Sequence, residues 1–289
     1  MYSHMSVLLA ETMSFLHPKP GGRFIDATLG AGGHTRAILD RTAPDGRVLA
    51  IDQDEDALSS AKETLESFGS RAVFIHSNFR AVQTIASEQG FMDCDGVLAD
   101  IGISSAMVDD PSRGFSFMRE GPLDMRMDRN QLLTAADVVN TYSEKEIADI
   151  IYTYGEERRS RSIARSIVRS RPLQRTTQLV SAIERVSGGA RHGKIHPATR
   201  TFQALRIHVN DELKSLEEFI DSAVAVVRSG GRVVVITFHS LEDRIVKQKF
   251  REPGVPGRIL TKKVVTAGDE ELRRNPRARS AKLRAWEKN

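Results

Sequence analysis

The chain has 289 residues, 40% hydrophobic and 28% charged, with a formal net charge of +4. Such a length predicts one large or two smaller domains, and the composition is that of an ordinary globular protein. Apolar runs such as Val233–Ile236 are too short to cross a bilayer, Val7–Ala10 is too short for a signal-peptide core, and the single cysteine, Cys94, excludes an internal disulfide or a cysteine zinc cluster. A cytoplasmic enzyme is the simple expectation.

In chain order, Arg23–Leu29 (RFIDATL) reads as a buried strand, followed by a glycine turn and a helix over His34–Arg41. Arg47–Asp52 is a second strand with a helix at Asp54–Phe68, and Ala72–His76 a third with a helix at Phe79–Glu88. Gly96–Ile101 makes a fourth. Strands separated by helix-length crossovers predict a parallel sheet with helices on its faces. The alternation then stops. Between Ser104 and Val209 the pattern shows a loop rich in Asp, Pro and Gly, a capping box at Ser143-x-x-Glu146, and helices, one carrying six arginines between Arg158 and Arg171. An amphipathic helix at Asn210–Arg228 leads through Gly230-Gly231 into a fifth strand, Arg232–Phe238. Ser280–Trp286 has the pattern of a further strand in the tail. The expected fold class is therefore α/β: one sheet, residues 1–104 plus 210–289, interrupted by a helical insert at 105–209.

Charge is unevenly spread. Residues 1–100 carry 8 Lys/Arg against 14 Asp/Glu, residues 101–257 carry 24 against 20, and residues 258–289 carry 10 against 4. Basic charge away from the N-terminal part suits a polyanionic partner or simply a solvated basic surface, and charge alone does not choose.

The sequence Asp26-Ala-Thr-Leu-Gly30-Ala-Gly32-Gly33-His34 closes the first strand and opens the first helix. Glycines there let backbone approach a ligand, and the helix N-terminus offers free N–H groups to an anion. Asp52 ends the second strand about 20 residues later, where a carboxylate can accept both ribose hydroxyls. Together they point to an adenosine-type ligand. Thr35 replaces the small third residue of a dinucleotide fingerprint, and no Gly-Lys-Ser/Thr exists for a phosphate loop. S-adenosylmethionine, with a ribose and a carboxylate but no pyrophosphate, suits the loop better. Phe79 is placed to stack on adenine or to staple its own helix. Asp100 ends the fourth strand, as a site residue or a turn cap. Eight histidines without an HExxH pattern give no metal site.

Residues 100–105 (DIGISS), 113–117 (RGFSF), 121–128 (GPLDMRMD), 197–207 (PATRTFQALRI), 238–244 (FHSLEDR) and 275–285 (NPRARSAKLRA) resemble the bacterial MraW/RsmH family, the 16S ribosomal RNA cytosine-N4 methyltransferases. The resemblance implies a Rossmann-like S-adenosylmethionine-dependent methyltransferase sheet whose helical insert recognises RNA. It places the cofactor against Gly32, Gly33, His34, Asp52, Phe79 and Asp100. The substrate it implies is 16S rRNA in the assembled small ribosomal subunit, with no membrane partner. This chain departs from the family in having Ala106-Met107 where Pro-Gln is usual, and Ser6 where proline is usual.

Methylating an amino nitrogen needs a group that accepts its proton. Asp100 is the first candidate and His239 the second, although Ser240-x-x-Asp243 also reads as an ordinary helix start. Arg113, Phe115, Arg126, Arg200 and Arg206 are the candidates for RNA contact, arginines for phosphates and base edges, the aromatic for an unstacked base or for core packing. Two alternatives differ in class. A catalytically inactive RNA-binding ribosome assembly factor would not need Gly32-Gly33-His34, Asp52 and Asp100, and a nicotinamide-dependent dehydrogenase is disfavoured by Thr35.

Overall fold

In the computed structural model, residues 5–187, 196–252 and 256–289 are described. The apolar runs form strands β1 (Arg23–Asp26), β2 (Arg47–Asp52), β3 (Ala72–His76), β4 (Cys94–Asp100) and β5 (Val227–Thr237). Val48, Leu49, Ala50 and Ile51 are all fully buried, because a parallel strand covered on both faces leaves no side for polar residues. Two tail strands, β6 (Gly257–Ile259) and β7 (Lys282–Lys288), complete one seven-stranded sheet in the order β3-β2-β1-β4-β5-β7-β6. The first five are parallel, and β7 runs antiparallel to both β5 and β6. Strand order reverses between β1 and β4, so the crevice where such sheets bind ligands opens at the carboxyl ends of those two strands.

Alternate residues of each strand serve opposite faces. Ile25, Leu49, Val97 and Val233 join a core with the Val82–Glu88 helix and with Phe219, Ile220 and Ala223 of the Glu212–Val226 helix. Phe24, Val48, Leu98 and Val234 join another with Met13 and Leu16 of the Leu9–Leu16 helix and Ile38 and Leu39 of the Gly33–Arg41 helix. Each such side chain contributes about 1.5–3 kcal/mol by its burial.

Two details depart from the sequence expectation, and the tail strand agrees with it. Gly230-Gly231 is not a turn before the fifth strand but a bulge inside β5, where the residue facing β4 jumps from Val227 at Cys94 to Arg232 at Gly96. Gly230 takes the positive φ of 74° that the bulge requires. The three-residue β6 is too short to leave a periodic signal. The tail is an integral part of the sheet, since β7 lies between β5 and β6 and Trp286 is fully buried, with Phe250 stacked 6.3 Å away.

The chain divides into two compact units, Met1–Gly102 with Leu213–Asn289, and Ile103–Glu212. Among its described residues the second unit is helical, with helices at Ser105–Asp109, Ala135–Thr141, Glu144–Gly155, Ser160–Arg169, Thr176–Ser187 and Ala198–Asn210. Ser143 and Glu146 form the reciprocal capping box that starts the Glu144–Gly155 helix. In the Ser160–Arg169 helix, Ile163, Ala164 and Ile167 are buried with Ile147, Ile151 and Leu205, while Arg161 and Arg165 face solvent. Among the described residues no helix is long and apolar enough to cross a membrane.

Candidate active site

β1 ends in Asp26, which is fully buried and accepts hydrogen bonds from the Thr35 hydroxyl at 2.7 Å and the Thr28 N–H at 3.2 Å. Thr35, the residue that breaks the dinucleotide pattern, thus clamps the loop to the strand. Burial raises the Asp26 pKa to about 7 against those bonds, with the charge of Asp52 adding to the rise. The glycine loop then turns through positive φ at Gly30 and Gly32. At Gly33 a Cβ would fall 2.0 Å from the Ser6 hydroxyl, so a larger residue there requires the Ser6 side chain to turn away. The Gly33–Arg41 helix starts with no side-chain cap, which leaves its first N–H groups pointing into the crevice end of the sheet.

Asp52 closes the other wall. One carboxylate oxygen accepts the Gly30 N–H at 2.8 Å and the other accepts the Asp54 N–H at 2.9 Å. These bonds aim the carboxylate and leave each oxygen a further lone pair for a donor. Its pKa lies above the usual range because burial outweighs the bonds.

Asp100, at the end of β4, donates its backbone N–H to the Thr28 hydroxyl at 2.6 Å. Its side chain is 23% exposed, yet Oδ1 is buried without a hydrogen-bond partner, and Oδ2 lies 3.9 Å from Nδ1 of His34, too far for a hydrogen bond. Burial, then the charges of Asp26 and Glu242, push its pKa well above the carboxylate range. A buried acceptor left unsatisfied costs about 1–3 kcal/mol, which a ligand bearing an N–H or O–H offsets.

The MraW methylase family matches residues 1–289. The chain belongs to that family. It is 52% identical to the ribosomal RNA small subunit methyltransferase H of Nostoc sp., over 100% of this chain and 93% of the relative. It is 50% identical to the same-named protein of Desulfotalea psychrophila (99% and 98% covered) and 48% identical to that of Dehalococcoides mccartyi (99% and 87%). A crystal structure of a protein from Clostridium thermocellum shares the fold with a TM-score of 0.50 at 10% identity, over 99% of this chain and 100% of that one.

S-adenosylmethionine is the cofactor of this methylase, and the residues present fit it. Asp52 would accept ribose hydroxyls, the uncapped helix start and tight glycine turn would receive a carboxylate, and the orphaned oxygen of Asp100 would take a donor. Phe79 is nearly buried and packs edge-on against Phe219, ring centroids 5.3 Å apart, so it is first a core residue of the sheet's helical layer.

His239 departs from its expected role. It, rather than Ser240, is the N-cap of the Ser240–Lys249 helix: its Nδ1 accepts the Glu242 N–H, and Oε2 of Glu242 accepts the N–H groups of Phe238 and His239. Its Nε2 lies 3.0 Å from Oε1 of the buried Glu242. With Nδ1 accepting, Nε2 carries the ring proton, and it is buried without a hydrogen bond of good geometry.

The five residues expected to contact RNA all lie in the second unit, and most hold that unit together. Arg113 is 4% exposed and donates to the carbonyls of Arg126 and Met127. Phe115 is buried in the helical core. Arg126 forms a bidentate pair with Asp124 and donates to the carbonyls of Arg129 and Gln131. Arg206 grips the buried Glu212 with two 2.8 Å bonds. Arg200 alone of the five is exposed, 3.5 Å from Glu157.

One part of the methylase site escaped the sequence. The backbone of Met5–Leu8 crosses the glycine loop: Val7 O lies 3.1 Å from Nε2 of His34, and Ser6 presses on Gly33. The tail holds that segment, Glu271 accepting the Leu8 N–H at 2.8 Å and Asn275 donating to the Met5 carbonyl at 3.2 Å. Glu271 and Asn275 thus support the loop through backbone. No local pattern signals a bond between residues 263 apart in the chain.

Proposed function

We propose that the protein methylates the exocyclic N4 of an unpaired cytidine in the decoding region of 16S ribosomal RNA, in the assembled small ribosomal subunit. The relatives' name, ribosomal RNA small subunit methyltransferase H, supports the RNA class, and the motif resemblance supports the atom. The observation that carries the chemistry is the buried, unpartnered oxygen of Asp100 at the strand-order reversal.

S-adenosylmethionine supplies an electrophilic methyl group on a sulfonium. Asp52 fixes the ribose, and the glycine loop fixes the amino-acid end, so the reacting atoms are held in line. The cytosine amino nitrogen is a poor nucleophile because its lone pair is delocalised into the ring. Asp100 accepts a hydrogen bond from that amino group, localises the lone pair and takes the proton as the new bond forms. The pairing edge of the base must be free, so the cytidine is taken unpaired or extruded.

Covalent attack on the ring, the route to carbon 5, finds no cysteine at this site among the described residues. Cys94 opens β4 at the end opposite Asp100, roughly 20 Å away at strand rise. Burial first, then the Asp95 charge, raises its pKa to about 12. The test is to methylate small subunits lacking the modification, digest them and identify the nucleoside by mass spectrometry. N4-methylcytidine is expected; 5-methylcytidine or a 2′-O-methyl product contradicts the assignment.

A further inference from the structure

The Ser240–Lys249 helix starts at His239, beyond the β5 residue Ile236 that faces Asp100, and runs about 15 Å to its other end. There a groove of about 270 Å³ opens against the β6–β7 edge. Phe250, Ile259 and Arg284 line its inner part, and Lys247, Arg251 and Lys262 stand exposed around it. Arg284 is already held by Asp243, through bonds of 2.7 and 3.2 Å. Lys249 is paired with Asp221 and Arg258 with Glu287. Among the described residues no ion pair engages Lys247, Arg251 or Lys262.

Residues 244–263 hold seven basic side chains and one acidic one, Glu252. The helix C-terminus accounts for a basic residue in its last turn, since its dipole favours cations. It does not account for Lys262, which reaches the same groove from a loop beyond β6. Three like charges converging on one concavity repel each other, and a bound anion relieves that repulsion. The volume is below the roughly 300–1,000 Å³ of small-molecule pockets, and the walls offer cations rather than an enclosing apolar surface. A hydrated phosphate group fits.

We propose that this groove binds the phosphate backbone of the substrate RNA, a contact on the methyltransferase unit itself, alongside any made by the helical unit. The inference rests on the RNA reading of the function. The groove lies one helix length from the strand edge that carries Asp100, so it grips RNA a few nucleotides from the methylated base. Backbone contact of this kind sets register and affinity without reading sequence.

The test compares the full-length protein with the triple variant Lys247→Glu, Arg251→Glu, Lys262→Glu, and with a matched reversal on the same unit, Lys19→Glu, Arg41→Glu, Lys62→Glu. Affinity for small ribosomal subunits lacking the modification is measured across a salt series, and S-adenosylmethionine binding by calorimetry. The groove variant is expected to lose tenfold or more in RNA affinity at low salt and to flatten the log–log salt slope by about two to three units. Cofactor affinity and the melting temperature stay at wild-type values, and the matched variant changes RNA affinity less than threefold. Charge-conserving exchange of the same three residues (Lys247→Arg, Arg251→Lys, Lys262→Arg) restores binding. If wild type binds RNA and the groove variant binds equally, or both triple variants lose equally, the groove assignment is wrong while the RNA reading stands. Wild type that does not bind RNA overturns both.

Discussion

The crevice end of the first unit's sheet and the arginine positions of the second both carry polar side chains from the sequence motifs, but in opposite states. At the first, Asp100 keeps a buried oxygen without a partner and the Gly33–Arg41 helix starts uncapped. At the second, Arg113, Arg126 and Arg206 have their guanidinium groups committed to carbonyls and carboxylates of their own unit. An unsatisfied buried acceptor costs stability, so it persists where a ligand completes it. A satisfied buried arginine is a strut. Arginine in a motif therefore says little about nucleic-acid contact until its partners are known.

The sharpest way to break this contrast is Arg206→Ala. Removing it takes away both charge-assisted bonds to the buried Glu212 carboxylate, and the second unit is expected to lose about 3–5 kcal/mol in denaturant unfolding. RNA affinity, measured where the variant is folded, stays within twofold. A large loss of affinity without loss of stability would make Arg206 an RNA contact instead.

The first unit should show its strain as a pH dependence. Asp26 has a folded pKa of about 7 against an ordinary 3.8. The folded state then binds the proton more tightly, so the stability this group contributes is complete below about pH 4 and lost as pH rises through about 7. The span is about 4 kcal/mol at 1.36 kcal/mol per pKa unit. In Asp26→Asn that slope should flatten, which unfolding curves from pH 4 to 8 will read. An unchanged slope would place the buried charge elsewhere.

Asp52→Ala should weaken S-adenosylmethionine binding by about 1–3 kcal/mol, since two hydroxyls lose their acceptor, with circular dichroism unchanged. Wild-type affinity by calorimetry would sink the ribose assignment. The smallest effect is expected at Glu271→Ala, where one backbone bond holding Met5–Leu8 is lost, at about 0.5–1.5 kcal/mol. A several-fold rise in the KM for cofactor with little change in kcat is predicted, and an unchanged KM would make the segment irrelevant to the loop.

The parallel strands and the Gly30–Asp52 constellation were legible because they rest on local signals: continuous apolar runs, positive-φ glycines and a carboxylate at a strand end. What was not legible depends on partners distant in the chain. His239 looked reactive, yet it caps the helix that Ser240 was expected to cap. The burial of Arg113 and Phe115, both candidates for RNA contact, leaves no mark on their neighbours in sequence. Ser6 stands out in the sequence only as a departure from the family's proline, and the folded loop reveals its contact with Gly33.

The most direct test of the incomplete carboxylate is Asp100→Asn. Its single-turnover rate of methyl transfer at saturating cofactor and RNA should be compared with wild type, alongside calorimetric cofactor binding. The expected result is a rate lower by about 10²–10⁴-fold, the usual weight of a positioned acid–base group, with cofactor affinity within tenfold of wild type. A rate within threefold of wild type would show that the proton leaves by another route, contradicting the role given to Asp100.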